Sequence, residues 1–161
     1  MPINKALQQQ RIHQTKPLGF TLLEVLITLV ILAIGLLGLA GLQATSLKQN
    51  QSAYQRGQAA QLSYDITDRV RSNMSAISTY QATTPSDATQ HTNCTTSTGC
   101  STTQMAQNDL YEWNKALTDT LPSGSATISL TSGVNIISIT WDDDHDGDNT
   151  NNPTFVLTFK P

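Results

Sequence analysis

Few side chains in this 161-residue sequence have the types and spacing that catalysis or metal binding requires. No nucleophile is grouped with a general base, no glycine-rich loop could cradle a phosphate, and no two carboxylates share an apolar background. Three places carry chemical interest: an acidic cluster near the carboxyl terminus, a pair of cysteines, and a glutamate beside a long apolar run. The sequence therefore predicts a protein that is not an enzyme.

The acidic cluster at residues 142–149 reads DDDHDGDN. Asp142, Asp144 and Asp146, followed by a glycine, match the opening of a calcium-binding loop, D-x-D-x-D-G, whose carboxylates supply oxygen ligands. The twelfth position of that loop is Pro153, whereas a calcium loop of this type has a glutamate there. The sequence favours a solvated hairpin tip, with a calcium site as the alternative, and it indicates no other cofactor.

The two cysteines, Cys94 and Cys100, lie in a segment dominated by threonine and serine. Two nearby cysteines in a small domain outside the cytoplasm usually form a disulfide, which we expect here. A metal site that includes His91 is the alternative. Three ligands at this spacing match no familiar metal motif.

A long apolar run begins directly after Glu24. Residues 25–42 contain no charged side chain. As a helix they would extend about 27 Å, close to the roughly 30 Å hydrocarbon core of a bilayer. A charged side chain in a membrane helix costs several kcal/mol and is therefore rare, so we expect Glu24 to have a function. The simplest role is that its carboxylate reaches the lipid headgroups from the membrane edge.

Charge is distributed unevenly along the chain. Residues 1–19 contain Lys5, Arg11 and Lys16 and no acidic residue, whereas the remainder is acidic on balance. Basic residues before an apolar span predict a cytoplasmic amino terminus in the inner membrane and a periplasmic carboxyl-terminal part. An ordinary secretory signal fits less well, because no small-x-small cleavage site follows the run; a plain signal anchor is the stronger alternative. The acidic exterior argues against binding to nucleic acid.

The junction LGFTLLEV resembles the class III signal of type IV prepilins. That signal is a glycine, a hydrophobic residue, Thr-Leu-(Leu/Ile)-Glu and an apolar helix, and residues 19–24 match it position by position. The resemblance implies that a prepilin peptidase cuts between Gly19 and Phe20 and methylates the new amino group of Phe20. It also implies that Glu24 pairs with the amino terminus of a neighbouring subunit during assembly, since a buried carboxylate requires a partner.

Further stretches resemble the PilV-type minor pilins. They are the block from Gly19 to Gln43, then DRVRSN, DLYEWNKALTDTLPSG and WDDD. The resemblance implies a low-abundance subunit that primes assembly of the pilus together with other minor pilins and the major pilin, and that ends in the filament or at its tip. Such pili serve cell adhesion and twitching motility. A type II secretion pseudopilin is the closest alternative, and a tip adhesin or DNA-uptake subunit is an alternative of another class.

The spacing of apolar residues predicts the elements that position these groups. Leu62, Ile66, Val70 and Met74 form one helical stripe, and apolar residues recur at helical spacing from Ala106 to Leu121. Alternating stretches at 126–130, 134–141 and 154–160 predict antiparallel strands, the first two joined at Ser132-Gly133.

We therefore expect a pilin-like α+β fold, in which a long helix packs on a small antiparallel sheet. The expected segments are a removed leader (1–19), a membrane and assembly half of the helix (20–42), a periplasmic half (43–76), a Thr/Ser-rich loop with the cysteines (77–104), and a short helix with the sheet (105–161).

Overall fold

The computed structural model describes residues 19–160 of the chain. Expectations for Lys5, Arg11 and Lys16 lie outside this range and stay predictions. The α-helices are α1 (Leu22–Ser72), α2 (Ile77–Ala82) and α3 (Thr102–Thr120); the strands are β1 (Ser125–Thr131), β2 (Val134–Thr140) and β3 (Thr154–Phe159); and 3₁₀ turns lie at Met74–Ala76, Pro85–Asp87 and Thr92–Thr95. The predicted α+β architecture is confirmed.

The chain forms two compact units, one ending at Thr45 and one beginning at Ser46. Helix α1 contributes to both, and we call residues 46–160 the head. Residues of α1 that lie in the head carry the predicted apolar stripe, with Ile66 and Val70 fully buried. This part of α1 thus supplies one wall of the core of the head.

Helix α3 supplies a second wall of this core. Its predicted apolar residues, from Ala106 through Leu121, are buried. The indole N–H of Trp113 donates to the carbonyl of Leu62 at 2.9 Å, so the ring fills the core while its polar atom is satisfied by α1. Ser101 and Gln104 cap the start of this helix, because they exchange hydrogen bonds at 3.0 and 3.2 Å.

The sheet has the order β1-β2-β3, and both pairs of strands are antiparallel. Ser132 and Gly133 join β1 to β2 with φ of 52° and 76°. Two positive φ values suit the tight turn that matches the twist of a hairpin, and glycine adopts one of them without strain. Ile137 and Ile139 of β2 are fully buried, so the central strand carries the sheet's contribution to the core.

The segment 77–104 is more ordered than the loop expected from its composition. It begins with α2, whose Tyr80 is fully buried, and it continues through two 3₁₀ turns. Threonine and serine have low helix propensity, so the composition of this segment predicted a loop. The short helix forms because Ile77 and Tyr80 pack against the core.

Two glycines of the head provide a matched test of this packing. A methyl group at Gly124 would lie 2.6 Å from Leu117 Cδ2, inside the core, whereas Gly57 on α1 has open space around it. Gly124→Ala should lower the free energy of unfolding by about 1–3 kcal/mol. Gly57→Ala should raise it by up to about 1 kcal/mol, because alanine favours the helix.

Urea unfolding of the detergent-solubilised protein, followed by tryptophan fluorescence, measures both changes. Equal shifts of the same sign in the two variants would contradict this account of the core.

Candidate functional site

The residues singled out at the start of the chain surround the first turn of α1. Thr21 is the capping residue: its hydroxyl accepts the backbone N–H of Glu24 at 3.2 Å, and its carbonyl accepts the N–H groups of Glu24 and Val25 at 3.1 and 3.3 Å. This bonding satisfies amide groups that a helix otherwise leaves unpaired at its start. Gly19 and Phe20 precede the helix outside regular secondary structure, and both are exposed.

Glu24 lies in the first turn of α1 with its side chain exposed. The positive end of the helix dipole favours a carboxylate at this position. Between residues 19 and 160, no basic side chain forms an ion pair with it. The carboxylate is therefore held in place by the helix and has capacity to accept a partner.

The apolar side chains that follow Glu24 are not covered by the unit in which they lie. Leu22 and Leu37 are 83% and 74% exposed. The one hydroxyl of the run is already satisfied, since Thr28 donates to the carbonyl of Val25 at 2.8 Å. By length and composition α1 is the one helix among the described residues that could cross a membrane. Its surface suits lipid or other apolar helices.

Cys94 and Cys100 form a disulfide, with an S–S distance of 2.07 Å and Cα atoms 4.9 Å apart. The bond encloses a small loop beside the 3₁₀ turn at Thr92–Thr95. Neither cysteine offers a thiolate in this state, so the alternative metal site with His91 is wrong. The backbone N–H of His91 instead donates to the side chain of Asn108 at 2.9 Å, which ties the loop to α3.

The three aspartates of the acidic loop lie close together, with carboxylate oxygens within 4.8 Å of one another. Asp142 is 4% exposed, and its two oxygens accept the backbone N–H groups of His145 at 2.7 Å and Gly147 at 3.1 Å. Asp144 and Asp146 are exposed. Asp142 thus closes the loop through backbone contacts, and the calcium interpretation of these residues stays a prediction.

A buried polar group that the sequence did not reveal joins the three helices of the head. Tyr80 of α2 donates its hydroxyl to Asp109 of α3. Arg69 of α1 contacts Asp109 at 3.3 Å and Glu112 at 3.1 Å, and it also pairs with Asp65, one helical turn earlier, at 3.1 Å. One carboxylate therefore connects all three helices.

The surroundings shift the pKa values of two of these groups. Burial raises the pKa of Tyr80, and the hydrogen bond to Asp109 together with its negative charge raises it further. Burial alone would lower the pKa of Arg69, but the hydrogen bond that Arg69 donates to Glu112 and the charges of Asp65 and Asp109 outweigh it, and the pKa is raised. Tyr80 stays protonated and Arg69 stays charged, as the contacts require.

Comparison with known proteins yields two family matches that adjoin along the chain. A model described as prokaryotic N-terminal methylation motif matches residues 16–40. A model described as type IV pilin Tt1218 matches residues 41–111. No curated protein and no solved structure matches the chain significantly.

The fold and the amino-terminal segment define a subunit with a single apolar anchor helix and a small α+β head. Together with the two family matches, which cover residues 16–40 and 41–111, they show that this chain is similar to type IV pilins. Pilins are structural, non-enzymatic proteins. The methylation motif implies processing by a prepilin peptidase and assembly with other pilins, and the apolar helix indicates membrane anchoring before incorporation into a pilus.

The sequence did not predict two features of the structure, the cap at Thr21 and the contact between Asp109 and Tyr80. The helix was expected to begin at Phe20, although Thr21-Leu-Leu-Glu24 has the S/T-x-x-E spacing that marks a helix start and could have placed the cap. Asp109 lies on a predicted core helix, yet its pairing with Tyr80 depends on a segment interpreted as loop. No local signal identifies that contact.

The Tyr80 hydrogen bond gives the head a defined dependence on alkaline pH. A group whose pKa is raised by folding contributes stability below its unfolded pKa, which is about 10 for tyrosine, and this stability is lost as pH rises above that value. Tyr80→Phe should therefore destabilise the head by about 1.5–3 kcal/mol at neutral pH, as a bond to a charged acceptor is lost. It should also flatten the decline in stability above pH 10.

Unfolding free energies measured from pH 8 to 11 test this, with Tyr64→Phe as the control because Tyr64 is exposed. A decline in Tyr80→Phe as steep as in the unmodified protein would refute the role of this hydroxyl.

Proposed function

We propose that this chain is a minor type IV pilin that is processed between Gly19 and Phe20 and is then incorporated into the pilus or its tip. The observation that carries the proposal is the carboxylate of Glu24, which forms no ion pair with residues 19–160. It lies one helical turn after that junction, at the start of a helix whose large apolar side chains are exposed. A plain membrane anchor needs the apolar side chains but not this carboxylate. A filament subunit needs both.

The processing step follows from the arrangement around the junction. Gly19 and Phe20 are exposed and precede the capped helix, so a peptidase could reach the peptide bond without unwinding α1. Cutting there creates an ammonium group on Phe20, which becomes N-methylated. The basic leader keeps this end in the cytoplasm and the head in the periplasm.

Assembly then supplies an opposite charge for Glu24. When the apolar helix leaves lipid and packs among the helices of other subunits, its carboxylate enters an apolar environment, where an unpaired charge would cost several kcal/mol. The Phe20 ammonium of a neighbouring subunit offers the opposite charge. Because only one axial offset brings the two groups together, the pair fixes the register between subunits.

The minor-pilin role rests on the similarity of four stretches to PilV-type proteins. Two of them, residues 68–73 and 109–124, contain Arg69 and Asp109, which join α1 to α3, and Trp113, which fills the core. In this role the subunit primes assembly with other minor pilins and the major pilin. A pseudopilin of a type II secretion system would share the amino-terminal segment, and incorporation into sheared pili separates the two.

The mature protein should begin at N-methylated Phe20. The measurement is intact-mass and peptide mass spectrometry of protein extracted from the cell envelope. Gly19→Val should leave the leader attached, because the peptidase would no longer find glycine before the scissile bond. A mature terminus at any other residue would refute the prepilin processing.

Removing the charge of Glu24 should impair assembly but not processing. Glu24→Gln keeps the shape of the side chain and leaves the apolar anchor intact, so membrane insertion and cleavage should be unchanged. The amount of this subunit in sheared filaments, or piliation itself, should fall at least tenfold, since the lost pair contributes more than about 1.4 kcal/mol.

Asp119→Asn is the matched control, because it neutralises an exposed acid of the head that pairs with Lys115 on the same helix. Incorporation of Glu24→Gln at the level of this control would show that the intersubunit ion pair is not formed.

A further inference from the structure

Strand β3 leaves one side of its backbone without partners. The backbone N–H of Trp141 donates to the carbonyl of Pro153, which fixes the phase of the β2–β3 ladder. The bonded pairs then involve Phe155, Leu157 and Phe159, because bonded and non-bonded pairs alternate along an antiparallel ladder. The N–H and C=O groups of the intervening residues, Thr154, Val156 and Thr158, therefore point away from β2.

No residue in the described range 19–160 bonds to these outward groups. The opposite edge of the sheet is different, because the segment 81–85 lies against β1 at Thr127 and Ile128, and Ile128 is buried. The outward backbone groups of β1 form no hydrogen bond in the described range either, but β1 is flanked by this segment of the head. In the sheet β3 lies beside β2 alone, and we call β3 the open edge.

The open edge also lacks the features by which proteins usually prevent strand addition. Residues 154–159 contain no charge and no proline, and all six pair with β2 in unbroken register, without a bulge. Val156, at the centre, is 53% exposed. A regular, uncharged edge strand is a template for pairing with another strand.

The sequence of this edge is complementary to itself. In an antiparallel pair of two β3 strands centred on Val156, Thr154 of each copy faces Thr158 of the other, a combination that stabilises cross-strand pairs. Three outward residues on each strand would form about six backbone hydrogen bonds.

The charges beyond the ends of the strand also match. In this register Lys160 of one copy falls opposite Asn152 of the other. The neighbouring Asn151 donates to Asp144 at 3.3 Å, so the exposed acidic loop with Asp144 and Asp146 lies beside this position. Each end of the paired strands therefore brings a lysine near an acidic cluster. A parallel arrangement would instead place like charges together.

We propose that two copies of this chain pair through β3, antiparallel and centred on Val156, to form a continuous six-stranded sheet across the two heads. The occupant of the open edge is a second copy, because both the register and the terminal charges are self-complementary. The pairing is a property of the head and does not rest on the proposed pilus function.

Disulfide trapping in the full-length, detergent-solubilised protein tests the register. Cys94 and Cys100 are bonded to each other, so an introduced cysteine is the reactive thiol of the described chain. Val156→Cys should give a covalent dimer under mild oxidation, since the two residues face each other. Thr154→Cys alone should not, because its copies would lie roughly 13 Å apart, but it should bond to Thr158→Cys when the two variants are mixed.

A second measurement tests the interaction without cysteines. Val156→Lys places like charges opposite each other and should weaken dimerisation at least tenfold in sedimentation or mass photometry. Leu130→Lys is the matched control, because Leu130 is also 53% exposed but lies on β1. A monomer at all concentrations, equal dimerisation of the two lysine variants, or trapping of Thr154→Cys as readily as Val156→Cys would each overturn the proposal.

Discussion

The structure depends on an apolar surface that is exposed among the residues that the structure describes. From Leu22 to Leu42 the large side chains of α1 remain exposed, and their transfer from water is worth about 1.5–3 kcal/mol each. This surface must be covered from outside, by lipid before assembly and by other apolar helices afterwards. Lipid and apolar helices both cover this surface without exposing it to water. The backbone hydrogen bonds of α1 lie within the helix, so they are kept in both environments. The ability of α1 to pass between them follows from this property.

On the proposed function, Glu24 distinguishes the two environments. In a bilayer its carboxylate can stay near the headgroups, at the start of the helix that Thr21 caps. In a helical bundle it would need an opposite charge, which the proposed cleavage would create at the Phe20 amine. The same residue would then cost little in the membrane and specify the arrangement in the filament. Apolar packing alone would not fix an axial register between smooth helices.

The head is stabilised by contacts of its own. Asp109 receives Tyr80 and Arg69 from two other helices, Trp113 joins α3 to α1, and the disulfide holds the polar segment that precedes α3. These interactions fall within residues 46–160. The head can therefore keep its structure while the apolar part of α1 exchanges lipid for protein neighbours.

Much of this was predictable because the signals are local. The apolar run, the Ser101–Gln104 cap and the Ser132-Gly133 turn each follow from a few adjacent residues. The burial of Tyr80 did not, since α2 is short and rich in weak helix formers and forms only on packing. The phase of the β3 edge likewise depends on one contact, between Trp141 and Pro153, that a strand pattern does not contain.

On the proposed function, the apolar part of α1 exchanges a lipid environment for a protein one. Photocrosslinking from benzoylphenylalanine placed at Ile31, which is 64% exposed, tests it most directly. In the membrane fraction the adducts should be lipid, and in sheared filaments they should be covalent links to other pilin subunits. Lipid adducts in both fractions, or links to the head of the same chain in either, would contradict the account.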